Sequence, residues 1–517
     1  MNHYIKNISI CICFSFYFIV LGLYQISLGF QYLEPSFISD KLQLLLNNED
    51  KTIEIFYFTY PVISQILSLP AALIDPINAP VITSAITISI FATYIVVKLF
   101  KLNYKFLSII ATIYFLTSPM IISLATSGTS LYLFFILYYF VFHYMFRYFR
   151  EFTVYNFVFL SLTLTIFIFL DYTFIWITVF MIPVIFMIGI FSYQDTDTSF
   201  IGVFKLKIQK KDSSKELIGR FLSSIIVIVF TPITALLIYF ILNYWFTGDP
   251  QFFNNSFTSQ WDKHQSVSFN FYDNSIVNYF MNINNYNSIL SILYLSPIFL
   301  SAYFIGRKKV LFQFTMLLVP VWLLFLNNHY HHTYTYLKDL LILSAAGLAG
   351  YIHLFQTDIY SNILKRKLFN LSIIFIFILS MIGEYQYFDK SINNDQKNMI
   401  AFYKQEDPID SGTYKDIIKF IRENVSRDSK ILTDNSIFYP VTAITRSSID
   451  YIDQFKESFP SALQAPELFV DYVLATNPNL AIHNKDNLKA VVENNEDNLI
   501  LVHKNKHYSL YKIIQKN

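Results

Sequence analysis

The sequence predicts a polytopic α-helical membrane protein with about eleven transmembrane helices, followed by a small C-terminal α/β domain. Three observations predict it. Hydrophobic residues make up 54% of the 517-residue chain and charged residues only 14%, whereas an ordinary soluble domain carries ~25% charged residues. Apolar runs of the ~20 residues that a bilayer span needs recur along most of the chain, and its mean hydropathy is +0.43. Basic residues, finally, gather in every second connection between those runs.

The expected spans are 8–29, 79–100, 104–124, 128–146, 154–171, 173–193, 219–244, 286–305, 310–327, 337–355 and 368–384. The first apolar run, from Ile8 to Phe30, is longer than the ~7–15-residue core of a signal peptide and lacks an A-x-A-like cleavage site. It is expected to be a retained helix. Cys11 and Cys13, the two cysteines, lie two apart on that run and point to different faces, so no disulfide joins them. The segment 55–74 is apolar, but Pro61, Pro70 and Pro76 interrupt or follow it. It reads as a re-entrant or interfacial piece, since irregular backbone needs protein or water around it.

With the N-terminus in the cytoplasm, the inside segments hold eighteen Lys and Arg and the outside loops hold four. That bias is the positive-inside pattern. It places three features outside: the loop 30–78, the loop 245–285 that opens "WFTGDPQFFNN", and the tail beyond Glu384. The predicted boundaries are a transmembrane domain 1–385 and an extracytoplasmic α/β domain 386–517. In the tail, "TYKDIIKFIRENV" has the apolar spacing of an amphipathic helix. "KILTD" and "DYVLAT" read as strands, and "NLILVHKNKHYSLYKII" reads as a hairpin around "KNK". A net charge of +2 gives no reason to expect a nucleic-acid partner.

Two acidic residues stand in "QYLEPSFISDKLQLLL" (31–46), just past the first span. Both Glu34 and Asp40 have a bland reading as solvated interfacial carboxylates. "SDKLQLLL", however, reads as a short amphipathic helix on the membrane surface, with Asp40 in its first turn, where the helix dipole favours an anion. Tyr60-Pro61 closes the same loop. A carboxylate at a lipid–water boundary is suited to take a proton from a hydroxyl acceptor. A second cluster is "NNHYHHTYTYLKD" (327–339), with His331, His332 and Lys338. It reads equally as an interfacial belt, in which Lys snorkels, or as a phosphate site, in which Lys is a point charge. The histidine spacing is not that of a zinc site and no cysteine is near, so no metal is expected. Asp171, in "TIFIFLDYTFIWI", reads as a solvated outer turn that lines a cavity at most. Asp249 shapes a turn with Gly248 and Pro250. The basic loop 205–215 is topogenic and meets anionic lipid.

The acidic residue in the first outer loop, the following helix and the "YP" before a Leu-rich segment resemble the GT-C glycosyltransferases. These include protein O-mannosyltransferases and bacterial aminoarabinose transferases. "NYWFTGDPQFF" (243–253) is similar to the aromatic-Gly-Asp-Pro step of many bacterial members, and the tail is similar to their outer domains. The resemblance implies transfer of a sugar from a polyprenyl-phosphate donor to a glycan, lipid or protein acceptor on the outer face of a bacterial inner membrane. It implies Asp40 as general base, inversion by direct displacement, and no cofactor. It puts the donor phosphate near Lys338, His331 and His332, and gives Glu34, Tyr60 and Asp171 acceptor-side or supporting roles. Two departures stand out. Lys41 follows Asp40 where many members have a glutamate, and the segment 327–339 has no Arg. The alternatives are an envelope polysaccharide polymerase or ligase, which would concentrate Arg and His in one long outer loop; a transporter, which would favour repeats and midplane charges; and a non-catalytic protein of the same fold.

Overall fold

The computed structural model describes the chain apart from residues 1, 48–49, 51–53, 56–60, 152, 192–210, 257, 260–289, 307–309, 330–335, 357–362, 392, 409–410, 479, 481–482, 484 and 515–517. The membrane part is built from α1 (Asn2–Ser27), α2 (Leu33–Leu46), α3 (Val62–Ala72), α4 (Ala79–Lys101), α5 (Lys105–Thr117), α6 (Pro119–Thr126) and α7 (Leu131–Glu151). It continues through α8 (Val154–Leu170), α9 (Ile175–Phe191), α10 (Lys211–Thr247), α11 (Pro297–Ile305), α12 (Val310–His329), α13 (Leu337–Phe355) and α14 (Ile363–Asp389).

Among the described residues, six helices are long and apolar enough to cross a membrane, or seven if the bent pair α5–α6 is one span. The expected eleven is therefore not reached on length and composition. The shortfall lies in α8, the helix starting at Tyr172, and α12, whose apolar parts are shorter, and in α11, of which nine residues are described as one helix. The α5–α6 pair bends by 60° at Ser118-Pro119, where proline removes a backbone donor. Ser118 Oγ accepts the Ile121 amide at 3.1 Å and starts the chain helically again. Glu384 of α14 pins the break: Tyr114 and Ser118 donate to it at 2.6 Å each and Ser380 at 3.1 Å.

α13 is the centre of the bundle and is buried on every side, which two glycines permit. A Cβ on Gly347 would stand 2.7 Å from the Phe299 backbone nitrogen of α11. α1 and α10 lie at the periphery and expose Ile12, Phe16, Ile226 and Phe230. Apolar side chains turned outward in this way face lipid. Charged side chains gather at the two ends of the bundle. Lys98, Lys101, Lys105, Arg147 and Arg150 sit at one end, where Arg150 ties α7 to Gln356 beyond α13 at 2.6 Å. Glu34, Asp40 and Asp171 sit at the other, with the C-terminal domain.

That domain runs α15 (Asn394–Lys404), α16 (Ser411–Asn424), β1 (Lys430–Thr433), α17 (Asn435–Thr445), β2 (Asp450–Ile452), α18 (Phe459–Gln464), β3 (Tyr472–Thr476), α19 (Lys489–Asn494), β4 (Leu499–Lys504) and β5 (Tyr508–Ile513). The sheet order is β2-β1-β3-β5-β4. β1 pairs parallel with β2 and with β3, whereas β3, β5 and β4 pair antiparallel. Alternate residues feed two cores, as strand pleating requires. Ile431 and Leu474 pack with Ile417 and Phe438 on one face; Leu432 and Val473 pack with Val491 on the other. The expected amphipathic helix, both strands and the hairpin are present. α17 and β2, which lie between them, were not legible: "NSIFYPVTAIT" mixes β-branched residues with Pro440.

Candidate functional site at the joint of the bundle and the C-terminal domain

α2 organises this site, and it differs from the expected surface helix. It is buried on all faces. Ile38 and Leu42 pack on Ala72 and Ala79, Phe37 meets Tyr439 of α17 edge-on at 5.2 Å, and Leu44 packs with Ile55 and Phe455. The helix also starts earlier than expected. Its first turn contains Glu34 and leaves Asp40 in the third, so the dipole argument belongs to Glu34.

Asp40 faces the C-terminal domain and is wholly enclosed. Its Oδ1 accepts from Arg446 Nε at 3.0 Å and Thr442 Oγ1 at 2.7 Å. Its Oδ2 accepts from Asn435 Nδ2 at 2.7 Å. Arg446 also donates to Asp453 at 2.7 Å. Burial opposes the charge of Arg446, but Asp40 and Asp453 outweigh it and hold the guanidinium above its usual range. Lys41 is enclosed as fully, donates to Asn435 Oδ1 and lies 4.0 Å from the Phe455 ring centre. Burial pushes its ammonium down to about 8, against the pull of Asp40 and Asp453.

The partners of this pair have a common origin. Asn435 follows the carboxyl end of β1 and Asp453 that of β2. In open α/β sheets the crevice beyond the carboxyl strand ends is where ligands bind. Here Asp40 and Lys41 of the first loop occupy it. A general base needs a lone pair turned toward its substrate. In this closed joint both Asp40 oxygens are engaged, so that role requires α2 and α17 to part.

Glu34 lies on a different face of α2 from Asp40. It is buried, and its Oε1 accepts the Ser130 amide at 2.8 Å, at the start of α7. The carboxylate thus stands at the N-terminal turns of two helices, both of which favour an anion. Gly128 shapes the neighbouring loop, with φ at +72° and room for no Cβ, since one would stand 2.9 Å from the Val81 nitrogen. Pro35, the residue after Glu34, lines a small crevice of about 40 Å³, together with Gln25, Tyr32, Ser36, Asn78 and Ser127, and Ala443 of the C-terminal domain. Gln25 Oε1 and Asn78 Oδ1 are buried acceptors without a partner among the described residues.

Lys338, at the start of α13, pairs with Asp171 at 2.7 Å. Asp171 sits in the turn expected of it and accepts the Thr173 amide at 3.0 Å. Asp249 likewise shapes its turn, accepting from Gln251 at 2.8 Å and Asn255 at 2.8 Å. Tyr60, His331 and His332 lie outside the described residues. The structure therefore joins Asp40 to Lys41 and Lys338 to Asp171, and turns Glu34 and Asp40 apart. Asn435, Thr442, Arg446 and Asp453 were missed in the sequence. Arg446 is 406 positions from Asp40, and nothing near it marks it out.

No family model matches the chain, and neither does any curated protein. Among solved structures, the chain is similar to ArnT from Cupriavidus metallidurans bound to undecaprenyl phosphate, at 10% identity and a TM-score of 0.47, over 96% of this chain and 97% of that one. It is also similar to the Archaeoglobus fulgidus oligosaccharyltransferase in its apo form, at 11% identity and a TM-score of 0.40, over 91% of this chain and 69% of that one. A third is the oligosaccharyltransferase AglB of Archaeoglobus fulgidus in complex with an inhibitory peptide and a dolichol-phosphate, at 11% identity and a TM-score of 0.36, over 89% and 69%. These neighbours are GT-C glycosyltransferases. The likeness is one of general chain course, and the functional reading rests on this chain's own residues.

Proposed function

We propose that this protein transfers a sugar from a polyprenyl-phosphate donor to a hydroxyl acceptor, at the end of the bundle that carries the C-terminal domain. The observation that carries this reading is the placement of Glu34. A buried carboxylate sits at two helix N-termini, next in sequence to Pro35, which lines a small crevice whose walls come from both the bundle and the C-terminal domain. The sequence resemblance to GT-C glycosyltransferases supplies the reaction class. Lys338 is a cation at the same end, held by Asp171, and suits the phosphate of the donor as a point charge. The acceptor hydroxyl attacks the anomeric carbon as its proton passes to the base, and the lipid phosphate leaves with the bonding electron pair. A single displacement inverts the anomeric centre.

The resemblance gives the base role to Asp40, whose oxygens are both engaged in the closed joint; we place it on Glu34, which lies off that joint but is itself buried on the Ser130 amide, so its site too must open to admit a substrate. The experiment that separates them measures transfer from synthetic polyprenyl-phosphate sugars by purified Glu34→Gln and Asp40→Asn proteins. Losing a general base lowers the rate by about 10²–10⁴-fold. The reading expects that loss in Glu34→Gln even well below its melting temperature, which itself falls somewhat as the anion at two helix N-termini is lost. In Asp40→Asn it expects a lower melting temperature to accompany any loss. Near-normal transfer by Glu34→Gln refutes the assignment of Glu34, and no transfer by wild type from any polyprenyl-phosphate sugar refutes the function. The proposed setting is the outer face of a bacterial inner membrane, with the basic end of the bundle in the cytoplasm.

A further inference from the structure

The end of the bundle far from the C-terminal domain carries a cation that the proposed reaction does not use. Lys98, in the last turn of α4, is partly buried between helices. Its Nζ donates to Tyr94 OH at 2.9 Å and lies 3.3–3.4 Å from both ring nitrogens of His143 on α7. His143 itself is stacked on Tyr139. Among the described residues no carboxylate lies within ion-pair distance of Lys98. The nearby carboxylate, Glu151, is taken by two guanidiniums, with Arg147 Nε at 2.8 Å and Arg150 at 2.6 Å. Lys98, Arg147 and Arg150 together leave an excess of two positive charges at this corner.

An uncompensated ammonium between apolar helices is costly, and an anion that enters the corner offsets that cost. Beside the corner runs an apolar track. Tyr144 packs on Phe159 of α8 at 5.3 Å, and α8 turns Val154, Tyr155, Val158 and Leu162 outward. A phosphate at Lys98 with acyl chains along α8 satisfies both features, whereas free inorganic phosphate would use only the first. We infer that Lys98, with Arg147 and Arg150, forms a binding site for the phosphate headgroup of an anionic phospholipid.

Native mass spectrometry and thermal unfolding of the purified full-length protein test the site, with phosphatidylglycerol, phosphatidylcholine or inorganic phosphate added. Phosphatidylglycerol is expected to be retained and to raise the melting temperature, and the other two are not. Lys98→Gln should weaken retention about fivefold, the effect of one basic residue at an anionic lipid surface. Lys98→Arg should preserve it, and so should Lys105→Gln, a change at an exposed lysine of the same end. If Lys98→Gln melts early in phosphatidylcholine, Arg147→Gln carries the same expectation of weakened retention. Equal loss from Lys98→Gln and Lys105→Gln, unchanged retention in Lys98→Gln, or full stabilisation by inorganic phosphate would each overturn the proposal.

Discussion

Asp40 and Arg446 hold one another inside the joint, so removing either leaves the other's charge buried. Breaking such a pair from one side costs about 3–5 kcal/mol, less where a second partner remains, as Asp453 does for Arg446. Asp40→Ala is expected to lower stability toward the lower end of that range, measured by chemical unfolding in detergent. Lys41 behaves differently, because burial lowers its folded-state value to about 8 from 10.5. Between those values the unfolded chain holds the proton and the folded chain does not. Stability from this group therefore rises as pH climbs from about 8 to 10.5. Wild type should gain melting temperature over that window relative to Lys41→Met. A flat difference between the two proteins would show that Lys41 does not titrate there.

The joint elements work by close approach. Gly128 combines a left-handed backbone with a Cβ position 2.9 Å from the Val81 nitrogen. A side chain there pays about 1–2 kcal/mol for the conformation alone, and the contact with α4 adds to it. Gly128→Ala should therefore lower the melting temperature and, by moving Ser130 away from Glu34, reduce transfer. An unchanged melting temperature would mean that the loop adapts freely. α2 offers the other lesson at this scale. Read alone, "SDKLQLLL" is amphipathic. Its polar members Asp40, Lys41 and Gln43 are buried because α17 supplies a partner for each, Gln43 donating to the Ala443 carbonyl at 2.6 Å.

Across the whole molecule, the arrangement of charge fixes which ends belong together. Lys98, Lys101, Arg147 and Arg150 gather at the ends of α4 and α7, opposite the end that holds Glu34, Asp40 and the sheet. A topology reporter fused after Phe388 should therefore report the side opposite to one fused after Arg150. With the proposed orientation, the Phe388 reporter is the outer one. A common side for both would overturn the order of spans. The C-terminal domain is attached to the bundle by α2 as well as by the chain. Loss of the Asp40–Arg446 pair in an Asp40→Ala, Arg446→Ala protein should make the domain more sensitive to protease at low enzyme concentration, while the membrane helices stay protected.

The sequence by itself determined the membrane class, the positions of the apolar helices, and the helix, two strands and hairpin of the tail. These follow from local composition and from periods of 3.6 and 2, which a short window contains. Only the tertiary structure decided the fate of α2, the number of helices long enough to span, and the partners of its charges. Asp40 reads as an exposed base until Asn435, Thr442 and Arg446 arrive from the far end of the chain. Glu34 has no motif to recommend it, yet it stands at two helix N-termini because Ser130 is brought beside it. Burial and hydrogen bonding join residues hundreds of positions apart, and no local pattern records such pairs.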